Sequence, residues 1–271
     1  MTQLTDAQAC ACCFESQHEL HAHPAMRALE REVLGCDFGG TSWTTKSQAD
    51  LIPAALGLGR QSHLLEIGAG TGWPGIYMAG LTGCDVTLLD VPVNSLKNAI
   101  HRAAEEPIHS QFHAVAASGS ALPFKTGSFE AIGHSDVLCC LPDKLEMLKE
   151  CQRIARSGAR MLFYVIAPNQ GITGADLDTA CEVGPPFVGI DDSYENLLEA
   201  SGWDLMDKSD LTGEYVSALS RLAQGMKSVA HELTKVLGRE EFERLLDLRF
   251  RQISAIENGL LVREVFITQS A

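Results

Sequence analysis

The sequence predicts an α/β protein with a mostly parallel sheet of seven strands and helices on both faces. From residue 62, short apolar runs alternate with amphipathic stretches, a pattern typical of parallel strands joined by crossover helices. A glycine-rich turn follows the first apolar run, where a strand must give way to a helix. With 271 residues, 45% of them hydrophobic, the chain is long and apolar enough to bury the core of a seven-stranded sheet. Right-handed crossovers place the carboxyl ends of parallel strands on one edge, where such sheets bind ligands.

Each strand is predicted from its own apolar run. The predicted strands are 63–67, 85–89, 111–116, 129–134, 159–166, 203–209 and 260–268. We expect helices near 74–81, 93–105 and 143–156, the last with Asp143 as its N-cap. Ser193 and Gly202 are expected to begin and end a further helix before the sixth strand. The last strand is expected to run antiparallel to its neighbours.

Two segments are expected to lie outside the sheet. One precedes it and is helical around "HPAMRALEREVLG", with Gly35 as C-cap; the other contains two helical stretches, 213–237 and 239–258. The chain is therefore divided into an N-terminal helical cap (1–45), a core (46–210), a helical insertion (211–259) and the last core strand (260–271). Helices inserted before the last strand cannot lie inside the sheet. They either cover the ligand edge or form the surface of a homodimer.

Composition and charge exclude several classes of protein. The formal charge of −14, with no run of Lys and Arg, disfavours a nucleic-acid partner. The amino-terminal stretch has neither a basic nor an apolar region, and the longest apolar strand-like run, "MLFYVIAP", is too short to span a bilayer. The nine cysteines are an odd number, which suits a reducing compartment. We therefore expect a cytoplasmic protein with no membrane insertion and a small-molecule ligand.

The glycine loop after the first strand indicates which ligand the sheet edge admits. A dinucleotide-binding G-x-G-x-x-G would need its third glycine at 73, where this chain has Trp73. Glu66 places a carboxylate where a pyrophosphate would fit badly and an ammonium group would fit well. Asp90 ends the second strand, where an acid can accept hydrogen bonds from both ribose hydroxyls. This combination favours a ligand with an amino group and an unphosphorylated ribose over NAD.

Four segments in order carry a family resemblance: "LLEIGAGTG", "VTLLD", "SALPFKTGSFEAI" and "VLCCLPDKLEMLKECQRIARSGARMLF". Over roughly residues 36–167, the chain resembles the class I S-adenosylmethionine-dependent methyltransferases, especially the ubiquinone/menaquinone and sarcosine/dimethylglycine methyltransferases. The resemblance implies a Rossmann-like core, S-adenosyl-L-methionine as cofactor, and methyl transfer to nitrogen, oxygen or carbon of a small-molecule acceptor.

The resemblance also assigns cofactor-binding residues. Glu66, Gly68 and Gly70 would hold the methionine moiety, Asp90 the ribose, and Val91 the adenine. The family usually has an Asp for the adenine amino group where this chain has Ser118, whose hydroxyl makes a weaker bond. The full candidate set is Trp43, Glu66, Gly68, Ala69, Gly70, Asp90, Val91, Ser118, Gly119 and His134.

The segment "GHSDVLCCLPD", after the fourth strand, is where the resemblance places the acceptor. Methyl transfer from a sulfonium needs an aligned acceptor in a dry cavity, and alignment alone supplies about 7–11 kcal/mol. Asp136 could hold an ammonium or take a proton, and His134 could serve as base or as cofactor contact. Ser135 lies between them as a candidate substrate contact. Alternatively, Asp136 caps the short helix that follows.

Two aromatic residues have two interpretations each. Trp43 could face the sulfonium through a cation–π contact, or could only pack in a capping segment. Phe187, in "GPPFVG", could form an apolar wall of the acceptor pocket or belong to a rigid turn.

Three alternatives to small-molecule methyl transfer remain. The chain could bind the cofactor only as a sensor or scaffold. Arsenite methylation would use thiols such as Cys36, Cys139, Cys140 and Cys181, but Asp136 stands where that related family places a thiol. The segment "ACACCFESQHELHAH" could hold a metal ion, although its spacing matches no standard zinc site, and we expect no metal.

Overall fold

The computed structural model describes residues 20–37, 42–106 and 111–271, which contain a single seven-stranded sheet. Its strands are β1 (His63–Ile67), β2 (Asp85–Asp90), β3 (Phe112–Ala116), β4 (Phe129–Ser135), β5 (Ala155–Pro168), β6 (Trp203–Asp210) and β7 (Leu261–Ser270). Their order across the sheet is β3-β2-β1-β4-β5-β7-β6. Strands β1 to β5 pair in parallel, whereas β7 runs antiparallel to β5 and β6. The predicted sheet and its antiparallel last strand are confirmed.

The described helices surround this sheet and extend beyond it. They are α1 (Pro24–Leu34), α2 (Lys46–Ala49), α3 (Ile52–Leu56), α4 (Gly75–Thr82), α5 (Val93–Glu105), α6 (Lys144–Ile154), α7 (Ala175–Val183), α8 (Tyr194–Ser201), α9 (Thr212–Ser228), α10 (Ala230–Leu237) and α11 (Arg239–Glu257). A 3-10 turn, Leu138–Cys140, follows β4. No helix in these described ranges is long and apolar enough to cross a membrane.

Strand β5 shows how the sheet organises two core layers. Side chains alternate across a strand, so Met161, Phe163 and Val165 enter the layer that contains α6, α7, α8 and α11. Leu162 and Tyr164 enter the opposite layer, beneath α2, α3, α4 and α5. Burying a side chain of this size stabilises the fold by about 1.5–3 kcal/mol. A strand that is apolar on both faces therefore lies in the interior of the sheet, between β4 and β7.

The helices outside the sheet share a third cluster of buried residues. Met26 and Leu29 of α1 pack there with Leu222 of α9 and Phe242 of α11. A Cβ at Gly225 would lie 2.5 Å from Cδ2 of Leu29, so glycine allows α9 to approach α1 closely. The helical segments before and after the core thus pack against each other.

The structure corrects several predicted element boundaries. The expected helix 213–237 breaks at Val229, whose φ of −110° and ψ of 20° are not helical, and Leu233 then packs into the third cluster. Strand β5 begins at Ala155 rather than at 159, because its early residues pair with neighbouring strands. Helices α2 and α3 were not predicted, since they are too short for a clear helical period, and the nine-residue α7 was also missed.

The predicted helix ends are mostly confirmed. Ser193 caps α8 by accepting a hydrogen bond from the Asn196 backbone at 3.1 Å. Gly35 and Gly202 end their helices with φ of 78° and 82°. Asp143 occupies the predicted N-cap position of α6, although its side chain makes no capping hydrogen bond.

Candidate functional site

The glycine loop lies at the carboxyl end of β1. Gly68, Gly70 and Gly72 have φ of 67°, 51° and 99°, in the region that favours glycine. A Cβ at Gly68 would lie 2.3 Å from Cγ2 of Val137, which follows β4. The backbone can therefore turn here and approach the β4 end only because the side chains are absent.

Glu66 is a buried acid beneath this loop. Its side chain belongs to β1, the residue is 3% exposed, and no other described residue donates a hydrogen bond to its carboxyl group. Burial raises the pKa of Glu66 to about 8. Gly133 is its partner on β4, and a Cβ there would lie 2.8 Å from Oε2 of Glu66. The carboxyl group is thus positioned to accept hydrogen bonds from a cationic ligand.

Asp90 connects β2 to the glycine loop. Its Oδ2 accepts a hydrogen bond from the Gly70 amide and its Oδ1 one from the Val91 amide, both at 2.7 Å. Burial raises the pKa of Asp90 and outweighs the two hydrogen bonds, which by themselves would lower it. The Val91 side chain beside it is 50% exposed, which leaves an apolar surface uncovered at the strand end.

The segment after β3 completes this edge. Asp90 pairs with Ala116 in the parallel register, so Ser118 follows β3 close to the end of β2. Ser118 is exposed and its hydroxyl accepts a hydrogen bond from the Ser120 amide, whereas Gly119 is buried against Met147. The sequence prediction therefore grouped residues that the structure brings to one edge of the sheet.

His134 lies at the end of β4, but in a setting that the sequence did not indicate. Its ring stacks on Phe163 with centroids 4.9 Å apart, and Phe163 stacks on Phe266 at the same distance. The residue is 1% exposed, and neither ring nitrogen has a hydrogen-bond partner. Burial lowers the pKa of His134 to about 3, so the ring is neutral near pH 7.

Asp136 is paired with an arginine that the sequence prediction missed. Oδ1 and Oδ2 of Asp136 accept hydrogen bonds from Nε and Nη2 of Arg263, at 3.0 and 2.9 Å. Asp136 has φ of 56°, a conformation rare outside glycine and often found at functional sites. The capping alternative is wrong, because Val137 occupies the N-cap of the 3-10 turn without a side-chain bond.

Arg263 also binds the segment that precedes the core. Its guanidinium donates to Oε1 of Gln48 at 3.2 Å and to Oγ1 of Thr44 at 3.1 Å, and it lies 4.8 Å from the Tyr164 ring centroid. Thr44 in turn donates to Oγ of Ser135 at 3.2 Å. We name Thr44, Gln48, Ser135, Asp136, Glu214 and Arg263 the polar network, with Glu214 accepting a bond from Gln48 at 2.7 Å.

A basic residue among the apolar residues of the last strand, next to Glu264, was the available signal for Arg263. The side chain is fully buried, and burial alone would lower its pKa, but the charge of Asp136 raises it overall. The Arg263 guanidinium therefore stays charged inside the protein. Because the two members of this ion pair come from β4 and β7, no local spacing in the sequence could reveal it.

The two aromatic candidates lie in different surroundings. Trp43 makes an edge-on contact with Tyr215 of α9, with centroids 5.3 Å apart, and the Arg249 guanidinium lies 5.3 Å from the Trp43 ring centroid. Phe187 is half-buried, and its amide donates to the carbonyl of Cys139 at 3.0 Å. Together with Lys144 it lines a cavity of about 320 Å³. Trp43 thus already contacts a cation of the protein.

Three of the four thiols considered for arsenite chemistry donate to backbone carbonyls, and the fourth, Cys181, is exposed. Cys139 and Cys140 donate to the carbonyl of Asp136 at 3.2 and 3.4 Å. Burial, with the charges of Glu30 and Asp37, raises the pKa of Cys36 to about 12. Cys36 is therefore poorly prepared to act as a thiolate at neutral pH.

The amino-terminal Cys/His segment is only partly covered by the structure. Cys10, Cys12, Cys13 and His18 lie outside the described residues. His21 pairs with Glu30, and His23 accepts a bond from the Ala25 amide at the start of α1. Within residues 20–37, 42–106 and 111–271, no group of three His, Cys, Asp or Glu side chains is arranged to hold a metal ion.

Comparison with known proteins identifies related sequences. Residues 65–163 match the family model described as a methyltransferase domain. The chain is 24% identical to 27-O-demethylrifamycin SV methyltransferase of Amycolatopsis mediterranei, over 79% of this chain and 78% of that protein. It is 23% identical to sarcosine/dimethylglycine N-methyltransferase of Halorhodospira halochloris, over 77% of this chain and 75% of that protein.

A solved structure shares the fold. Phosphoethanolamine N-methyltransferase 2 of Haemonchus contortus, in complex with phosphomonomethylethanolamine and S-adenosylhomocysteine, superimposes with a TM-score of 0.80 at 14% identity. The alignment covers 99% of this chain and 60% of that chain. At this identity the likeness shows the fold alone.

Proposed function

Because the chain belongs to the class I S-adenosylmethionine-dependent methyltransferases, we propose that it methylates a small-molecule acceptor held beside the end of β4. The relatives include enzymes named for transfer to oxygen and to nitrogen, and the acceptor atom here is nitrogen, oxygen or carbon. When bound, the cofactor supplies a sulfonium methyl group.

The residues at the sheet edge fit this cofactor. The observation that carries the proposal is the buried Glu66 carboxyl group, which has no donor within the described chain and suits the amino group of a methionine moiety. Asp90 would hold the ribose, each charge-assisted hydrogen bond contributing about 1.5–3 kcal/mol. The uncovered Val91 side chain would pack on the adenine, with Ser118 and Gly119 beside it.

The polar network supports an orienting role for Asp136. Both of its oxygens accept hydrogen bonds from Arg263, so the position of its carboxyl group is defined. We propose that Asp136 orients the acceptor through its remaining lone pairs rather than removing a proton. Ser135 would be a further acceptor contact, and neutral His134 would border the cofactor without acting as a base near pH 7.

The surroundings of the site would exclude water. Trp43 and Tyr215 cover the network from the amino-terminal segment and from α9, and Phe187 would contribute an apolar wall beyond the 3-10 turn. A dry cavity strengthens the electrostatic contacts that align the acceptor. These side chains have to move for ligands to enter.

Cell location and partners complete the proposal. All six cysteines within the described residues are free thiols, which supports a reducing cytoplasm. The charge of −14 supports a small-molecule acceptor rather than nucleic acid. The exposed side of the α9–α11 insertion is proposed as the surface of a homodimer, which analytical ultracentrifugation would test.

A labelled-methyl assay tests the function. The protein, S-adenosylmethionine and a panel of amine, phenol and acid acceptors should yield labelled product. S-adenosylhomocysteine should bind with micromolar-scale affinity in calorimetry. Asp136→Asn should lower turnover on the order of 10²-fold while S-adenosylhomocysteine affinity barely changes. Asp143→Asn, seven residues later at the start of α6, is the matched control. Cofactor binding without any methyl transfer would favour a sensor, and NADH binding without cofactor binding would refute the proposal.

A further inference from the structure

Two guanidinium groups lie near Tyr215, that of the fully buried Arg263 and that of the half-buried Arg249, and they differ in what they bind. Arg263 is neutralised by Asp136. Arg249 of α11 donates from Nη1 to the neutral side-chain oxygen of Gln252 at 2.9 Å, and no carboxylate in the described part of the chain forms an ion pair with it. Its Nε is buried and has no hydrogen-bond partner. Arg249 therefore carries a charge that the described chain leaves without a counter-ion.

A continuous set of contacts leads from Arg249 to the end of β4. The Arg249 guanidinium lies 5.3 Å from the Trp43 ring centroid, and Trp43 lies edge-on to Tyr215. The Tyr215 ring centroid is 6.0 Å from the guanidinium carbon of Arg263, which holds Asp136. Arg249 is thus on the acceptor side of the candidate site, separated from Asp136 by two aromatic rings and the guanidinium of Arg263.

The chemistry of an isolated guanidinium indicates what would bind there. Burial lowers the pKa of Arg249, but an arginine side chain stays protonated in proteins. A buried charge without a partner is strongly unfavourable, so a bound anion would be favoured. The planar fork of donors matches a carboxylate or a phosphate ester.

We propose that Arg249 recognises an anionic group, a carboxylate or a phosphate ester, on the methyl acceptor. The inference rests on the proposed methyl transfer and narrows the class of acceptor. The anionic end of the molecule lies at Arg249 and Trp43, and the reacting atom lies toward Asp136. Because Arg263 is already paired with Asp136, Arg249 is the one of these two guanidinium groups that is available to bind the anion.

Simple aromatic probes can test this without knowledge of the acceptor. Benzoate and phenyl phosphate carry the two candidate anions, and benzamide is a neutral analogue. Binding to protein saturated with S-adenosylhomocysteine is measured by ligand-observed NMR titration. At least one anion should bind the wild-type protein tenfold or more tightly than benzamide, and the tighter anion identifies the group. Arg249→Met should abolish this preference. Arg251→Met, on the same helix α11, removes an exposed ion pair with Glu182 of α7 and should retain the preference.

Two outcomes would overturn the inference. Equal binding of both anions and benzamide to the wild type is one, and an anion preference that survives in Arg249→Met is the other. If Arg249→Met does not fold by circular dichroism, Arg249→Gln, which removes the charge but keeps a polar side chain, takes its place in the second test. Failure of S-adenosylhomocysteine to bind the wild type refutes the proposed function instead, and the anion preference is then measured on the free protein.

Discussion

We call the sheet edge formed by Glu66, the glycine loop and Asp90, which is proposed to hold the cofactor, the cofactor edge. The cofactor edge and the polar network are built from residues at very different separations along the chain. Gly70 and Asp90 are 20 residues apart and belong to one strand–helix–strand unit. Asp136 and Arg263 are 127 residues apart, and Thr44 and Arg263 are 219 apart. Closing long loops has a larger entropic cost, so the polar network requires the whole chain to be folded. The first region is local in origin and the second is not.

The two regions also differ in how their charges are balanced. At the cofactor edge, Glu66 has no donor within the described chain, and Asp90 accepts only from backbone amides. In the polar network, Asp136 is fully paired with an internal cation. Uncompensated acids are suited to a ligand, whereas a compensated pair is suited to holding the structure together. Variants of the first should therefore alter cofactor binding, and variants of the second should alter stability in addition to any effect on turnover.

The largest effect is expected from Arg263→Met. Removing one member of a buried pair leaves Asp136 uncompensated, which should lower the free energy of unfolding by about 3–5 kcal/mol. Urea denaturation measures this, and the double variant Asp136→Leu with Arg263→Met should recover most of the loss. If the free energy of unfolding of Arg263→Met is less than about 1 kcal/mol below that of the wild type, the pair is not essential to the fold.

The neutral state of His134 makes a smaller, pH-dependent contribution. Its pKa is lowered to about 3 in the folded protein, so the stability it contributes is present above the unfolded pKa near 6.5 and is lost as pH falls. Between pH 6.5 and 5 the free energy of unfolding should drop by about 2 kcal/mol from this group. His134→Phe should remove that part of the pH dependence, whereas His101→Gln, at an exposed site on α5, should not. An unchanged slope in His134→Phe would contradict the assignment.

At the cofactor edge, Asp90→Ala should weaken S-adenosylhomocysteine binding at least tenfold, about 1.4 kcal/mol. The variant removes the ribose acceptor and the bond to the glycine loop. Asp85→Ala alters the opposite end of the same strand and should leave the affinity within about twofold. Calorimetry compares the affinities of the two variants. An equal loss of affinity in both would show that a disturbance of β2, rather than loss of the Asp90 carboxylate, weakens binding.

The smallest effect is expected at Ser118. Ser118→Asp would supply the acid that usually binds the adenine amino group in the family that this chain resembles. The variant should tighten S-adenosylhomocysteine binding about two- to fivefold, about 0.4–1 kcal/mol. Ser120→Asp, two residues later, is the control. Weaker binding in Ser118→Asp would place the adenine elsewhere.

The fold was predictable wherever one period of hydrophobicity dominated. Strand β1 was predicted with its observed bounds, because its apolar run is short and ends at a glycine loop. The extension of β5 to Ala155 depends on pairing with β4, and the break at Val229 depends on how α10 packs against α11. Neither partner is local, so no window of sequence contains the deciding contact.

The sequence by itself determined that a glycine loop, Glu66 and Asp90 share one edge of a parallel sheet, because short-range geometry places successive strand ends together. It also placed Asp136 after β4 but could not identify its partner. Only the tertiary structure decided that Asp136 is paired with Arg263, that His134 is enclosed by aromatic rings, and that Arg249 lies beside Trp43. The physical reason is that each of these contacts joins elements whose proximity depends on packing of the complete core.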